Sequence, residues 1–224
     1  MRVRLFGERD DQAIPLPLFL QDAYEAAQRF CEVLSRRPGL NSGFLETILL
    51  RRVGSTIHAG QQTAAKMLGQ AAGVDDEDDE AEAAGGPAPM ASSLYPLIEA
   101  ERVELERFLG LLEQNAEEDP KARIVEAILL RGVEGSEPWL DRGCIVFSQY
   151  YDSVLWLAWH LSERLPNEPI AIYAGANRSG LIRQGAFTRL QRDTIKDCIR
   201  SGEVACSWGP MPPPKGSTSS GSAR

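Results

Sequence analysis

The sequence predicts an α/β protein with a mainly helical N-terminal half and a parallel-sheet unit in its C-terminal half. Three observations carry this. Apolar residues recur at three- and four-residue spacing between about positions 20 and 130. Residues 143–175, GCIVFSQYYDSVLWLAWHLSERLPNEPIAIYAG, read as strand, helix and strand, a βαβ unit. An acidic run from Asp75 to Glu82, continuing into the Ala/Gly/Pro stretch Ala81 to Pro89, separates two patterned regions as a solvated, disordered linker would.

The elements follow in order. Ala23, Ala27, Phe30 and Leu34 share a helical face, and Pro38-Gly39 stops that helix. Phe44, Leu45, Ile48 and Leu49 mark a second helix, with Asn41 or Ser42 as its cap. Ile57, Ala64, Met67, Leu68 and Ala71 mark a third, closed by Gly73. Beyond the linker, Leu97, Ile98, Leu105, Phe108, Leu109 and Leu112 fit a long helix from Tyr95 to Asn115. Asp119 caps the next, with Pro120 at its first position and Ile124, Val125, Ile128 and Leu129 facing inward. Cys144 to Phe147 and Ile170 to Tyr173 are the strands. The helix between them, Asp152 to Leu165, is apolar on more than one side and needs two neighbours. Its Trp156 and Trp159 are expected to pack rather than to stack on bases, because such platforms are exposed and set among cations. The divisions are residues 1–73, a linker over 74–92, an α/β unit over 93–204 and a tail over 205–224. The tail is expected to be disordered: Pro210, Pro212, Pro213 and Pro214 with a Gly/Ser-rich end leave no room for the buried strand that should follow Val204.

The 224 residues are 43% hydrophobic and 25% charged, with a net charge of −8. Seven of those negative charges sit in the acidic run, so the remainder of the chain carries −1. A near-neutral body argues against strong non-specific binding to nucleic acid, which depends on Lys and Arg neutralising phosphates. An acidic arm docking on a basic partner is the functional alternative to a plain linker. No apolar run reaches the ~18 residues of a membrane span, and the N-terminus has no secretory pattern. Cys31, Cys144, Cys198 and Cys206 are far apart with no C-x-x-C pair, as expected of reduced thiols in a cytoplasmic protein.

Ligand groups in βαβ units lie at the carboxyl ends of the strands, which singles out Ser148, Gln149 and Tyr150, with Tyr173 and Gly175 at the second strand. Other motifs fail. Gly175 to Gly180 has the spacing of a phosphate loop, but Leu181-Ile182 stand where Lys and Ser/Thr belong. His58 and His160 lack metal-ligand spacing. Ser148 lacks a G-x-S-x-G turn, and no base is visibly paired with it or with Tyr150, which leaves an independent enzyme poorly supported. Arg51 and Arg52 end an apolar helix, where cations favour the negative end of the dipole.

The wording of three blocks goes further. An "IVFSQY" strand (Ile145 to Tyr150), a helix, an "IYxG" strand (Ile172 to Gly175) and a helix ending RDTIKDCIRSGEV (Arg192 to Val204) resemble the opening of the second lobe of Swi/Snf-type, superfamily-two DNA helicases and translocases. ETILLRRVGSTIHAG (Glu46 to Gly60) resembles the segment leaving the first lobe, and DPKARIVEAIL (Asp119 to Leu129) the helix entering the second. The resemblance implies an incomplete RecA-like (P-loop NTPase-like) parallel-sheet lobe. It implies nucleic-acid contacts at Ser148, Gln149, Tyr150 and Gly175, and places Arg51 and Arg52 at the cleft between lobes. The intact family uses ATP and Mg and binds DNA. Its phosphate-loop lysine, Asp-Glu box and arginine fingers have no counterpart here, so the resemblance implies a fragment with no catalytic residue, cofactor site or metal site of its own, whose partners are the missing lobes. Back-translating the tail with a shifted frame gives a string similar to the family's motif V, so the tail is expected to be out of frame. The alternative is a non-enzymatic interaction module with an acidic arm.

Overall fold

The computed structural model describes residues 15–37, 42–69, 96–133, 137–175, 177–204 and 206–210. The acidic run and the linker expectation over 74–92 lie outside the described residues, as do Pro38-Gly39, Ala71 and Gly73.

Four helices form one layer: α1 (Leu18–Ser35), α2 (Ser42–Ser55), α3 (Ile57–Met67) and α4 (Glu99–Glu113). The stripe expected on α1 is inward, with Ala23, Ala27, Phe30 and Leu34 all buried. They pack against Leu49, Ile57, Leu105, Phe108 and Leu112 of the other three helices. Each large aliphatic or aromatic side chain so buried contributes about 1.5–3 kcal/mol. Two boundaries differ from expectation. Helix α3 ends at Met67 rather than near Gly73. Helix α4 starts at Glu99, because the buried Glu101 carboxylate accepts the Ile98 N–H (3.0 Å) and pairs with Arg37 after α1 (3.0 Å), which fixes its N-terminus there. Ile98 is therefore a half-exposed cap residue and not part of the inward stripe.

The C-terminal half is an α/β unit: α5 (Pro120–Arg131), α6 (Trp139–Arg142), β1 (Cys144–Ser148), α7 (Tyr151–Arg164), β2 (Ile170–Ile172), β3 (Gly180–Arg183), β4 (Ala186–Arg189), α8 (Arg192–Arg200) and β5 (Cys206–Pro210). The five strands form one sheet in the order β1-β5-β2-β3-β4. β1 and β2 both run parallel to β5, whereas β2/β3 and β3/β4 are antiparallel. The expected all-parallel RecA-like sheet is thus corrected to a mixed one. The cause is a hairpin turning at Gln184-Gly185, both at positive φ (50° and 73°), as a two-residue type I′ connection requires.

A second correction concerns the tail. The expectation that no strand can follow Val204 fails, since residues 206–210 occupy the slot between β1 and β2. The first proline, Pro210, is the last residue of β5, so the ban on proline in a strand interior is not violated. Two apolar parallel strands otherwise left without a shared neighbour supply its hydrogen-bond partners. Residues 205 and 211–224 of the tail lie outside the described residues, so of the expected disorder over 205–224 only the part at 206–210 is corrected.

One face of the sheet carries Val146, Ile170, Ile172 and Ile182 against Val154, Leu157 and Leu161 of α7 and Leu129 of α5. The opposite face, at Ala171 and Leu181, is covered by Ile195 of α8 and Val204. The helical layer meets this unit where α3 packs on α7. Gly60 allows α2, α3 and α4 to approach closely: a Cβ there would stand 2.9 Å from Val53 Cβ and 3.0 Å from Leu112 Cδ1. Gly60→Ala should therefore lower unfolding free energy by about 1–3 kcal/mol through overpacking, despite alanine's better helix propensity. Urea denaturation is the check, and a stabilised variant would contradict this packing.

Candidate functional site

Helix α2 ends at Ser55 and Thr56 starts α3, α5 starts at its Asp119 cap, and β1 ends at Ser148. These chain ends surround a cleft of about 380 Å³ whose polar lining includes Arg51, Ser55, Lys121, Ser148, Gln149 and Tyr150, over an aliphatic floor containing Val146 and Val154. The strand-end residues Ser148, Gln149 and Tyr150 are therefore on the cleft, as their position after β1 predicts. Gly175 is not among its lining residues; it sits beyond β2, where its carbonyl accepts the Arg178 N–H (2.9 Å). Tyr173 lies on the α8 side, with the Arg192 guanidinium 4.6 Å from its ring centre.

Arg51 and Arg52 separate. Consecutive helix residues point about 100° apart, so Arg51 is exposed on the cleft while Arg52 is 3% exposed beneath it. The Arg52 guanidinium donates to Asp152 Oδ2 at 2.7 Å and, from Nε, to Thr63 Oγ1 at 2.9 Å. It also lies over the Tyr150 ring, 4.7 Å from the centroid. Arg52 is thus a structural residue that holds Tyr150 and the first turn of α7, and only Arg51 is free to meet a ligand in the cleft.

Four hydroxyls join the two halves below the cleft. Ser55 Oγ is 3.1 Å from Ser148 Oγ and 2.8 Å from Ser153 Oγ, which is 2.9 Å from Thr56 Oγ1. Thr56 Oγ1 in turn accepts the Ala59 N–H, capping α3. Among the described residues Ser148 Oγ meets only Ser55 and the Tyr150 N–H, with no carboxylate or imidazole to activate it as a nucleophile. Asp119 ties in the third segment. One carboxylate oxygen accepts Lys121 and Ala122 N–H groups at the start of α5, and the other accepts Ile57 N–H at the start of α3 (2.7 Å).

Beside this junction His58 of α3, Trp156 and His160 of α7 form a stack, with ring centres 6.0 and 5.2 Å apart. Trp156 packs, as expected. Among the described residues no cluster of His, Cys, Asp or Glu is arranged to hold a metal ion, and no helix is long and apolar enough to cross a membrane.

The cleft's cation Lys121 and hydroxyl Ser55 escaped the sequence reading. Lys121 had a signal, since it follows the Asp119-Pro120 helix start; the pairing of Ser55 with Ser148 across 93 positions had none.

No family model, no curated protein and no solved structure matches this chain.

Burial, chiefly, and the nearby Arg52 cation push the His58 pKa below its ordinary value, against the opposing pull of Asp152. A folded pKa below the unfolded one means the unfolded chain binds the proton first, so stability is complete above about 6.5 and falls as pH drops through that value toward the folded pKa. His58→Gln should flatten the fall. Urea midpoints at pH 7.5 and 5.5 for both proteins test it; parallel losses in the two would refute the assignment.

Proposed function

We propose that this chain carries the lobe junction of a Swi/Snf-type DNA translocase and contacts the phosphate backbone of nucleic acid through the cleft, without hydrolysing ATP by itself. One observation carries the reading. The three separated blocks picked out by resemblance converge on one cleft: Arg51 and Ser55 from the first, Lys121 from the second, and Ser148, Gln149 and Tyr150 from the third. Blocks chosen for unrelated reasons would have no cause to meet. The finer assignment, an incomplete RecA-like lobe, is part of this proposal.

The chemistry is that of backbone recognition. Arg51 and Lys121 are exposed cations at the rim, and Ser148 and Gln149 offer polar groups at the strand end. Such contacts position a strand without reading its bases. Two cations on a near-neutral body give modest binding with a shallow salt dependence, a slope of log K against log salt of about −1.4 to −1.8. The groups that bind and cleave the γ-phosphate in the family are missing from this sequence, so turnover belongs to the intact parent enzyme.

Fluorescence anisotropy of labelled single- and double-stranded DNA against salt is the test. Arg51→Ala and Lys121→Ala should each weaken binding and reduce the slope of log K against log salt by about one. Binding that is unchanged when both are replaced would remove the cleft as the interface and favour the interaction-module reading.

A further inference from the structure

The cleft has two chemistries, one above the other. Its rim holds the exposed cations Arg51 and Lys121 and the exposed amide of Gln149. Its floor is aliphatic: Ala122 and Val125 of α5, Val146 of β1, and Val154 and Leu157 of α7. Phosphate contacts account for the rim and not for the floor. A phosphate is strongly hydrated, and pressing it onto an aliphatic surface costs solvation with no partner gained. Apolar surface held open beneath a few polar groups is the anatomy of a ligand site, in which an apolar body is buried and the polar groups set its orientation.

Two features separate this floor from core glimpsed through a gap. Val125 and Val146 keep part of their surface open although both pack on the core between sheet and helices. The walls are also joined to one another below the rim. Ser55 Oγ meets Ser148 and Ser153 Oγ at 3.1 and 2.8 Å, and Asp119 at the start of α5 accepts the Ile57 N–H of α3 at 2.7 Å. A preformed site does not have to order its walls when a ligand arrives. The volume of about 380 Å³ lies near the lower end of the range for small-molecule sites, roughly 300–1,000 Å³, which fits one nucleotide and not a base pair within a duplex.

We propose that the cleft takes one unstacked nucleotide of single-stranded DNA, its base laid on the floor of Val125, Val146, Val154 and Leu157 and its flanking phosphates held by Arg51 and Lys121. This rests on the nucleic-acid reading above and names its substrate class. Every base has apolar faces and a polar edge. The faces meet the aliphatic floor, and Gln149, whose amide both donates and accepts, meets the edge. One adaptable amide discriminates little between bases, so the cleft selects strandedness before sequence. A duplex keeps its bases stacked and paired and presents only phosphates; extruding a base from it costs unstacking and unpairing that a single strand avoids.

The test is fluorescence anisotropy of the full chain with three labelled probes of equal length: a single strand, the same backbone with every base removed, and the duplex. The native chain should bind the single strand at least ~10-fold tighter than either of the others, from burial of one ring. The ratio of intact to abasic strand should persist as salt rises, because burying a ring releases no counterions, while the affinity for every probe falls. Val125→Phe, which fills the floor from a partly open position, should bring that ratio toward one, with a urea midpoint showing that the variant is folded. The probe comparison on the native chain stands even where the variant does not fold. Equal binding of intact and abasic strands, a duplex bound as tightly as the single strand, or a ratio that folded Val125→Phe leaves unchanged would each overturn base insertion. Those three outcomes leave the phosphate contacts of Arg51 and Lys121 in place, whereas binding of no probe would overturn both readings.

Discussion

The buried ion pair between Arg52 of α2 and Asp152 of α7 organises the region where helical layer and sheet unit meet. It spans 100 positions at 2.7 Å, with Arg52 3% and Asp152 16% exposed. Removing two charges from water is costly, and the attraction offsets that cost only when geometry is good and the remaining donors are satisfied. Here Arg52 Nε is taken by Thr63 and the guanidinium plane lies over Tyr150. The pair therefore settles three things together: the direction of α7 as it leaves β1, the place of Tyr150 at the strand end, and the outward turn of Arg51 onto the cleft.

Around it, polar groups connect elements that apolar packing alone would leave free to slide. Asp119 binds the N-termini of α3 and α5 with one carboxylate, and the Ser55, Ser148, Ser153 and Thr56 hydroxyls link α2, β1, α7 and α3. Buried networks of this kind specify one arrangement because each partner, if displaced, leaves another unsatisfied. The cleft is tied together at its base by these bonds and carries the exposed cations Arg51 and Lys121 at its rim.

The helices were legible because their burial is periodic: the α1 stripe of Ala23, Ala27, Phe30 and Leu34 is buried as read. That Ser148, Gln149 and Tyr150 line a cleft was legible because a strand end is a local pattern. Long-range events were not. Nothing local says that Arg52 meets Asp152, so two adjacent arginines looked equivalent. The Gln184-Gly185 hairpin was missed because glutamine is an uncommon residue at positive φ. β5 was missed because the proline-rich stretch outweighed the five residues that complete a strand before its interior is reached. Its formation depends on the gap between β1 and β2, which is a property of the sheet and not of residues 206–210.

A double-mutant cycle on Arg52 and Asp152, read by urea denaturation, tests the central claim most directly. With Arg52→Met and Asp152→Asn, each single replacement should cost about 3–5 kcal/mol by leaving a buried partner uncompensated. The double replacement should cost less than the two together by at least about 1.5 kcal/mol, the mark of groups in direct contact. Costs that add within about 0.5 kcal/mol would show the two residues acting independently and would contradict a junction organised by their pairing.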